Sequence, residues 1–229
     1  QSWSVISGGA DPARAEKALE SVWKYLVKKE DQLVLLLTPP FNRSWPDPGY
    51  IKGYLPGIRE NGGQYTHAAA WSLIAFAAYG NGDRAYEMFK MLNPANHALT
   101  YSEMMKYKLE PYVIPADIYS KPPHAGRGGW SWYTGSAGWM YQAGIKWILG
   151  LRRKGERLFF EPAIPGEWKE YSIVYRYWGT KYVIEVENPE GICHGNATVI
   201  CDGEDVTGKG VHLKDDGAEH SVRVIMRRN

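Results

Sequence analysis

The sequence predicts an α+β protein in which a helical part, residues 1–154, is followed by an antiparallel β-domain, residues 155–229. In the first part, apolar residues recur at helical spacing. In the second part, short alternating segments are separated by turn residues at the spacing of a β-sandwich. Because the pattern changes near residue 155, we expect two domains divided there.

Helix start and stop signals support the helical part. Asp11 followed by Pro12 is typical of a helix start, because an Asp side chain caps free backbone N–H groups and Pro fits the first turn. This helix is predicted to reach Lys29. Further helices are predicted over residues 64–79, 83–92, 116–119 and 135–151.

Long loops separate these helices, over residues 39–63 and around 93–130. Loops longer than about 15 residues in a compact domain are usually functional or disordered. Their content of Trp, Tyr and Pro argues against disorder, so we expect them to carry function.

The strand pattern begins at residue 157. Gly179-Thr180 lies between two alternating segments and predicts a tight hairpin. The predicted strands cover residues 157–161, 171–178, 181–187, 197–201, 211–213 and 220–226.

Charge distribution, apolar runs and cysteine content indicate the expected partners and location of the protein. The 27 Lys and Arg residues and 25 Asp and Glu residues are scattered, so nucleic acid is not an expected partner. No apolar run is long enough to span a bilayer and no secretory signal opens the chain, so we expect a cytoplasmic location. Cys193 and Cys201 could form a disulfide, but two reduced thiols fit that location better.

Aromatic composition is unusual, with 10 Trp and 16 Tyr residues against five Phe residues. Flat side chains with a polar edge suit carbohydrates, whose apolar C–H faces are ringed by hydroxyl groups. A Trp-rich core is the structural alternative.

The first segment with chemical character precedes and opens the helix predicted at residue 64. Gly62-Gly63 would allow close approach of the backbone to a ligand, and the helix start would direct free N–H groups at an anion. A lone His67 would more often be a buried structural histidine, but its polar neighbours favour a site. These polar residues are Arg59, Glu60, Asn61, Gln64 and His67.

Two further segments carry polar groups in suggestive places. Thr134-Gly135-Ser136 opens a helix and could hold an oxyanion, although a plain N-cap with close helix packing explains the same residues. Glu110 and Asp117 could bind sugar hydroxyls or could be surface and capping carboxylates. The sequence contains no HExxH motif and no recognisable nucleophile triad.

Three long runs, in one order, resemble glycoside hydrolase family 94, the cellobiose and chitobiose phosphorylase family. They are GYIKGYLPGIRENGGQYTHAA, LEPYVIPADIY and GRGGWSWYTGSAGWMYQAG. The branch most similar holds β-1,2-oligoglucan phosphorylases and the phosphorylase domain of cyclic β-1,2-glucan synthases. The resemblance covers essentially the whole chain, and RLFFEPAIPGEW extends it into the β-domain.

The resemblance implies an (α/α)6 barrel followed by a C-terminal β-sandwich, of which residues 1–154 would be the last part of the barrel and residues 155–229 the sandwich. It also implies an inverting phosphorylase, in which inorganic phosphate attacks a β-glucoside and releases α-glucose 1-phosphate. The implied phosphate ligands are His67, Thr134 and Gly135, and the implied sugar contacts are Arg59, Glu60 and Gln64.

The family's catalytic Asp lies in a motif upstream of this region, and this chain has no such motif. We therefore expect no catalytic residue here, and no metal or cofactor besides phosphate as co-substrate. The chain would be inactive alone and would need the upstream barrel or a partner chain, for which a homodimer is one arrangement. A hydrolase or transglycosylase on the same scaffold, or a non-catalytic carbohydrate-binding module, are the alternatives.

Overall fold

The computed structural model describes residues 1–228 and divides into two compact units. The first unit combines residues 1–75 with residues 87–143, and the second combines residues 76–86 with the chain from residue 144 onward. Helices and long irregular segments dominate the first unit, and most of the β-structure lies in the second. The mixed composition confirms the predicted combination of helices with a sheet-rich part.

The helices are α1 (Ser2–Ile6), α2 (Pro12–Tyr25), α3 (Thr66–Ala78), α4 (Gly82–Leu92), α5 (Tyr101–Tyr107) and α6 (Thr134–Gln142). The Asp11 carboxylate accepts a hydrogen bond from the Arg14 backbone N–H at 3.1 Å, which confirms the predicted cap of α2. α2 ends at Tyr25 rather than Lys29, because the next residues form a short antiparallel strand pair, β1 (Val27–Lys28) with β2 (Leu33–Val34).

Helix α5 lies in a segment that the sequence analysis interpreted as loop. It begins with a capping box, in which the Thr100 hydroxyl accepts a bond from the Glu103 N–H and the Glu103 carboxylate accepts one from the Thr100 N–H. The signature Thr-x-x-Glu is visible in the sequence, so this helix could have been predicted.

The prediction of a helical segment over residues 116–119 is wrong. Residues Asp117–Ile118 form strand β4, which pairs antiparallel with β3 (Gln64–Tyr65). The segment is extended because its backbone groups form hydrogen bonds with neighbouring segments on both sides, as described below.

Helix α6 continues as a π-helical segment, Ala143–Ile148. The predicted extension to residue 151 is wrong, because Gly150 turns the chain at φ +70° and has no room for a side chain beside the Glu161 backbone. Leu151 therefore opens a strand, in a residue range that was predicted as helix.

The second unit contains two sheets. A three-stranded sheet has the order β11 (Val211–His212), β6 (Arg157–Phe160), β5 (Leu151–Lys154). A five-stranded sheet has the order β10 (Glu204–Asp205), β9 (Asn196–Cys201), β12 (Glu219–Arg227), β8 (Thr180–Glu187), β7 (Glu170–Tyr177).

The pairing of β7 with β8 confirms the predicted hairpin, which turns at Trp178-Gly179. The prediction of a wholly antiparallel domain is wrong, because β12 pairs with β8 in parallel, from Glu219 opposite Lys181 to Ile225 opposite Glu187. A parallel pair needs a long connection, and the chain between β8 and β12 supplies it.

His220, on β12, joins two turns of this sheet. Its Nδ1 lies 2.7 Å from Asp202 Oδ2 and its Nε2 lies 3.2 Å from Asp216 Oδ2, while the ring stacks on Tyr182. Both nitrogens can donate only when the imidazole is protonated. The hydrogen bond to Asp202 contributes most to raising the pKa of His220 above its ordinary value of 6.5.

We expect the contribution of His220 to the stability of the β-rich unit to be lost as the pH rises above neutral. The raised pKa means that the charged pair stabilises fully below pH 6.5 and is lost as pH rises through the folded-state pKa. Urea unfolding across this range should show a loss of up to about 1 kcal/mol that is absent in His220→Asn. An identical pH profile in the variant would contradict the assignment.

No helix within residues 1–228 is long and apolar enough to cross a membrane.

Candidate functional site

The starts of α3 and α6 face each other in the first unit. His67 is the second residue of α3, and a Cβ atom placed on Gly135 would lie 3.5 Å from His67 Cε1 and 3.6 Å from Nδ1. Thr134 and Gly135 are exposed. We call this group, His67 with Thr134 and Gly135, the helix-start cradle. The structure thus brings together the three residues that were predicted to share one ligand.

The start of α6 offers free backbone donors. Tyr133 occupies the N-cap position and makes no side-chain capping bond. The first N–H groups of a helix have no partner within the helix, and the helix dipole places partial positive charge there. The cradle therefore combines uncapped N–H groups with an imidazole, an arrangement that suits an anion.

The segment around β4 explains why the two helix starts converge. On one side, Tyr65 pairs with Asp117, and the Ala116 carbonyl accepts a hydrogen bond from Thr66 N–H at 2.9 Å. On the other side, the Ile114 carbonyl accepts one from Tyr133 N–H at 3.0 Å. The segment predicted as helical is thus the extended element that holds both helix starts.

Two indole rings shield His67. Trp71 lies 4.8 Å from the His67 ring and Trp139 lies 6.0 Å from it, between ring centroids. This burial lowers the pKa of His67 below 6.5, so the imidazole is neutral at neutral pH. A neutral imidazole keeps one N–H donor, which can bond to an anion without a charge of its own.

Arg59 and Glu60 lie on the loop that precedes α3. The Arg59 guanidinium carbon lies 5.2 Å from the Tyr54 ring centroid and 5.9 Å from the Trp130 ring centroid, and Arg59 Nε lies 3.7 Å from Glu60 Oε2. The Arg59 backbone has φ +47°, an uncommon conformation for a residue with a side chain. Backbone strain of this kind concentrates at functional sites.

The glycines of this loop serve the backbone itself. A Cβ atom on Gly63 would lie 2.9 Å from the Arg59 carbonyl oxygen, and one on Gly62, at φ +86°, would lie 2.9 Å from Pro40 Cβ. The prediction that they admit a ligand is therefore replaced by a structural reason, since they let the loop fold tightly around Arg59.

Gln64 is fully buried and its amide is used at both ends. Its Oε1 accepts a hydrogen bond from Val34 N–H at 2.9 Å, and its Nε2 donates one to the Thr66 hydroxyl at 3.2 Å. The structure gives Gln64 a positioning role between β2 and α3, and direct contact with a sugar stays a prediction.

Sequence reasoning missed a tyrosine pair beside the cradle. The hydroxyl groups of Tyr65 and Tyr133 lie 3.3 Å apart, and each tyrosine directly precedes one of the two helix starts. This contact raises the pKa of Tyr65 to about 12, so the phenol stays protonated. No sequence signal links residues so far apart, although their places before Thr66 and Thr134 are visible.

Asp117 has a structural environment. It is 2% exposed and accepts a hydrogen bond from Trp130 N–H at 3.1 Å, and burial raises its pKa. Gly129 has no room for a side chain against this carboxylate. Asp117 is therefore a buried strand residue rather than a surface or capping carboxylate, and its contact with a sugar hydroxyl stays a prediction.

Four buried side-chain atoms around the site make no hydrogen bond within residues 1–228. They are Glu60 Oε2, Trp71 Nε1, Asp117 Oδ2 and Ser136 Oγ. Buried polar atoms are nearly always satisfied, so such a concentration is typical of a place that binds polar ligands. These residues are compatible with a carbohydrate-active protein, and the binding of an anion by the cradle stays a prediction.

Residues 1–150 match the catalytic domain of the glycosyl hydrolase 94 superfamily, and the chain belongs to that family. This finding confirms the resemblance drawn from the three sequence runs.

Three relatives show the range of the family. The chain is 51% identical to the cyclic β-(1,2)-glucan synthase NdvB of Rhizobium meliloti (strain 1021) over 186 residues, which are 81% of this chain and 7% of that protein. It is 32% identical to the N,N'-diacetylchitobiose phosphorylase of Vibrio furnissii, over 97% of this chain and 27% of that protein. It is 30% identical to the solabiose phosphorylase of Paenibacillus borealis, over 99% of this chain and 29% of that protein. The chain thus spans less than a third of each of these relatives.

Proposed function

We propose that this chain is the C-terminal part of an inverting glycoside phosphorylase, which cleaves a β-glucoside with inorganic phosphate to give α-glucose 1-phosphate. The observation that carries the proposal is the approach of the His67 ring to the uncapped start of α6 at Gly135. The names of two of the relatives support it, because each is a phosphorylase.

In this proposal the helix-start cradle holds phosphate. The N–H groups at Thr134 and Gly135 and the His67 imidazole donate hydrogen bonds to its oxygens. One phosphate oxygen bonds to the anomeric carbon as the bond from that carbon to the glycosidic oxygen breaks. A carboxylic acid in the upstream part of the protein gives its proton to the departing oxygen. Phosphate replaces the activated water of an inverting hydrolase, so one catalytic carboxyl is enough.

Arg59 and Glu60 contact the sugar. The Arg59 guanidinium is held against Tyr54 and Trp130 and lies 3.7 Å from Glu60 Oε2, an oxygen that makes no hydrogen bond within residues 1–228. Charged groups of this kind bond strongly to hydroxyls because one partner carries a full charge.

The remaining parts follow from the same proposal. The helical part of the chain, up to the π-helical segment that ends at Ile148, is the last part of an (α/α)6 barrel, and the strands from Leu151 onward belong to a β-sandwich. The substrates are phosphate and a β-linked gluco-oligosaccharide, with no cofactor, and the setting is the cytoplasm. The upstream barrel, or a partner chain in a homodimer, completes the site.

The test uses the full-length protein with a β-linked gluco-oligosaccharide, with and without inorganic phosphate. We expect ³¹P NMR to detect α-glucose 1-phosphate only when phosphate is present. Free glucose released without phosphate would instead indicate a hydrolase, a longer oligosaccharide product would indicate a transglycosylase, and binding without turnover would indicate a carbohydrate-binding module.

A further inference from the structure

Two exposed aromatic side chains and a carboxylate form a cluster close to the cradle along the chain. Trp132 is 64% exposed, and its ring packs edge-to-face against Tyr112, which is 75% exposed, with ring centroids 6.3 Å apart. The Trp132 indole N–H donates a hydrogen bond to Glu110 Oε1 at 3.4 Å. We call this group, Glu110 with Tyr112 and Trp132, the Trp132 clamp.

The backbone holds Trp132 firmly in an unfavourable conformation. Its φ is +59°, which is uncommon for a bulky side chain. The residues on either side are fixed by hydrogen bonds, from Ala116 N–H to the Trp130 carbonyl and from Tyr133 N–H to the Ile114 carbonyl. The backbone at Trp132 is therefore held from both sides.

The clamp is close to the cradle along the chain. Trp132 precedes Gly135 by three residues, which span at most about 11 Å even when fully extended. An oligosaccharide that extends by one or two sugar rings from the phosphate in the cradle is therefore long enough to reach the clamp.

We infer that the Trp132 clamp binds a further glucosyl unit of a neutral gluco-oligosaccharide, beyond the unit that the phosphate in the cradle attacks. This inference rests on the proposed function, in which phosphate is the ligand of the cradle. The indole and phenol rings supply flat faces for the C–H surface of a pyranose, and the Glu110 carboxylate supplies acceptors for its hydroxyl groups.

The negative charge of Glu110 favours a neutral sugar at the clamp over an acidic one. Glu110 accepts bonds from its own backbone N–H and from the side chains of Trp132 and Ser131, which together lower its pKa. It therefore carries its charge at neutral pH, and it would repel an acidic sugar at this place. A neutral chain is compatible with the clamp.

The structure offers a closely matched control in Trp178. This residue also has positive φ, +51°, is 79% exposed, and packs edge-to-face against a tyrosine, Tyr177, at 6.3 Å. It lies in the hairpin turn of the β-rich unit and has no place in the proposed site. Trp178→Ala thus reproduces the loss of a strained, exposed indole without touching the clamp.

The experiment compares full-length wild type, Trp132→Ala, Tyr112→Ala and Trp178→Ala on β-1,2-linked gluco-oligosaccharides, from the disaccharide to the pentasaccharide. We expect kcat/KM of the wild type to rise with chain length. Trp132→Ala and Tyr112→Ala should lower it about 5- to 10-fold for the longer chains and leave the phosphate KM unchanged, since aromatic contacts of this kind are worth that much. Trp178→Ala should match the wild type.

A second measurement separates this inference from the proposed function. Calorimetric titration of the pentasaccharide without phosphate should show weaker binding for Trp132→Ala even if the protein proves not to be a phosphorylase. Equal oligosaccharide affinity in Trp132→Ala and Trp178→Ala would overturn the inference. A fall in Tm confined to Trp132→Ala and Tyr112→Ala, with unchanged oligosaccharide affinity, would also overturn it, because the rest of the protein would then cover the clamp.

Discussion

Gly135→Ala is expected to impair phosphate use while leaving the fold intact. The added Cβ would lie 3.5 Å from His67 Cε1, which is ordinary van der Waals contact, so the side chain fits without displacing its neighbours. It would occupy the space between the imidazole and the helix start. Losing a hydrogen bond to a charged ligand costs about 1.5–3 kcal/mol, so we expect the phosphate KM to rise roughly 10- to 150-fold.

The same substitution should not reduce stability. Alanine is favoured over glycine within a helix by about 0.5–1 kcal/mol, so Tm should stay constant or increase slightly. Gly138→Ala is the matched control, because it lies in the same helix, is exposed, and a Cβ there would meet no atom within 4 Å. Gly138→Ala should show the same stability gain with an unchanged phosphate KM. Equal phosphate KM values in the two variants would contradict the assignment of Gly135.

His67→Ala is expected to weaken phosphate use by a similar factor. The imidazole is half-buried against Trp71 and Trp139, and its lowered pKa leaves it a neutral donor at the working pH. Removing it deletes one hydrogen bond to the anion, so the phosphate KM should rise roughly 10- to 150-fold by steady-state kinetics. His67→Gln, which keeps an N–H donor, should recover part of the loss.

The control for this variant is His124→Ala, because His124 is an exposed histidine of the same unit outside the site. It should have wild-type kinetics. If His67→Ala lowered Tm sharply and left the phosphate KM unchanged, His67 would be a buried structural histidine, which is the alternative that the sequence analysis left open.

The elements that depend on local signals were predictable from the sequence. The Asp11-Pro12 start of α2, the apolar face of α4 and the turn of the β7–β8 hairpin are local signals, and α3 is a continuous run of apolar and small residues that stops before Gly80. The parallel pairing of β12 with β8 was not predictable, because it is decided by contacts between residues far apart in the chain. The same limit explains β4, whose two residues are extended because of their partners on both sides.

The candidate site was predicted in part. His67, Thr134 and Gly135 have local signatures, because Gly62-Gly63 precede the segment that carries His67 and Gly135 lies in the first turn of α6, and the structure places them together. The burial of Gln64 and the hydroxyl contact of Tyr65 with Tyr133 depend on tertiary packing, which no local pattern reports. The sequence predicts that Gly62 and Gly63 allow close approach of a ligand. In the structure, the space that a side chain would fill at Gly63 is taken by the Arg59 backbone, and at Gly62 by the Pro40 ring.

A double-mutant cycle on phosphate affinity tests the central claim most directly. The phosphate Kd of the full-length protein would be measured by calorimetric titration for wild type, His67→Ala, Gly135→Ala and the double variant. If both residues hold one phosphate ion, their contributions to affinity are coupled. The phosphate Kd of the double variant should then rise by less than the two single fold increases multiplied together. Fully additive losses, or no loss in either single variant, would show that the two residues do not hold a common phosphate.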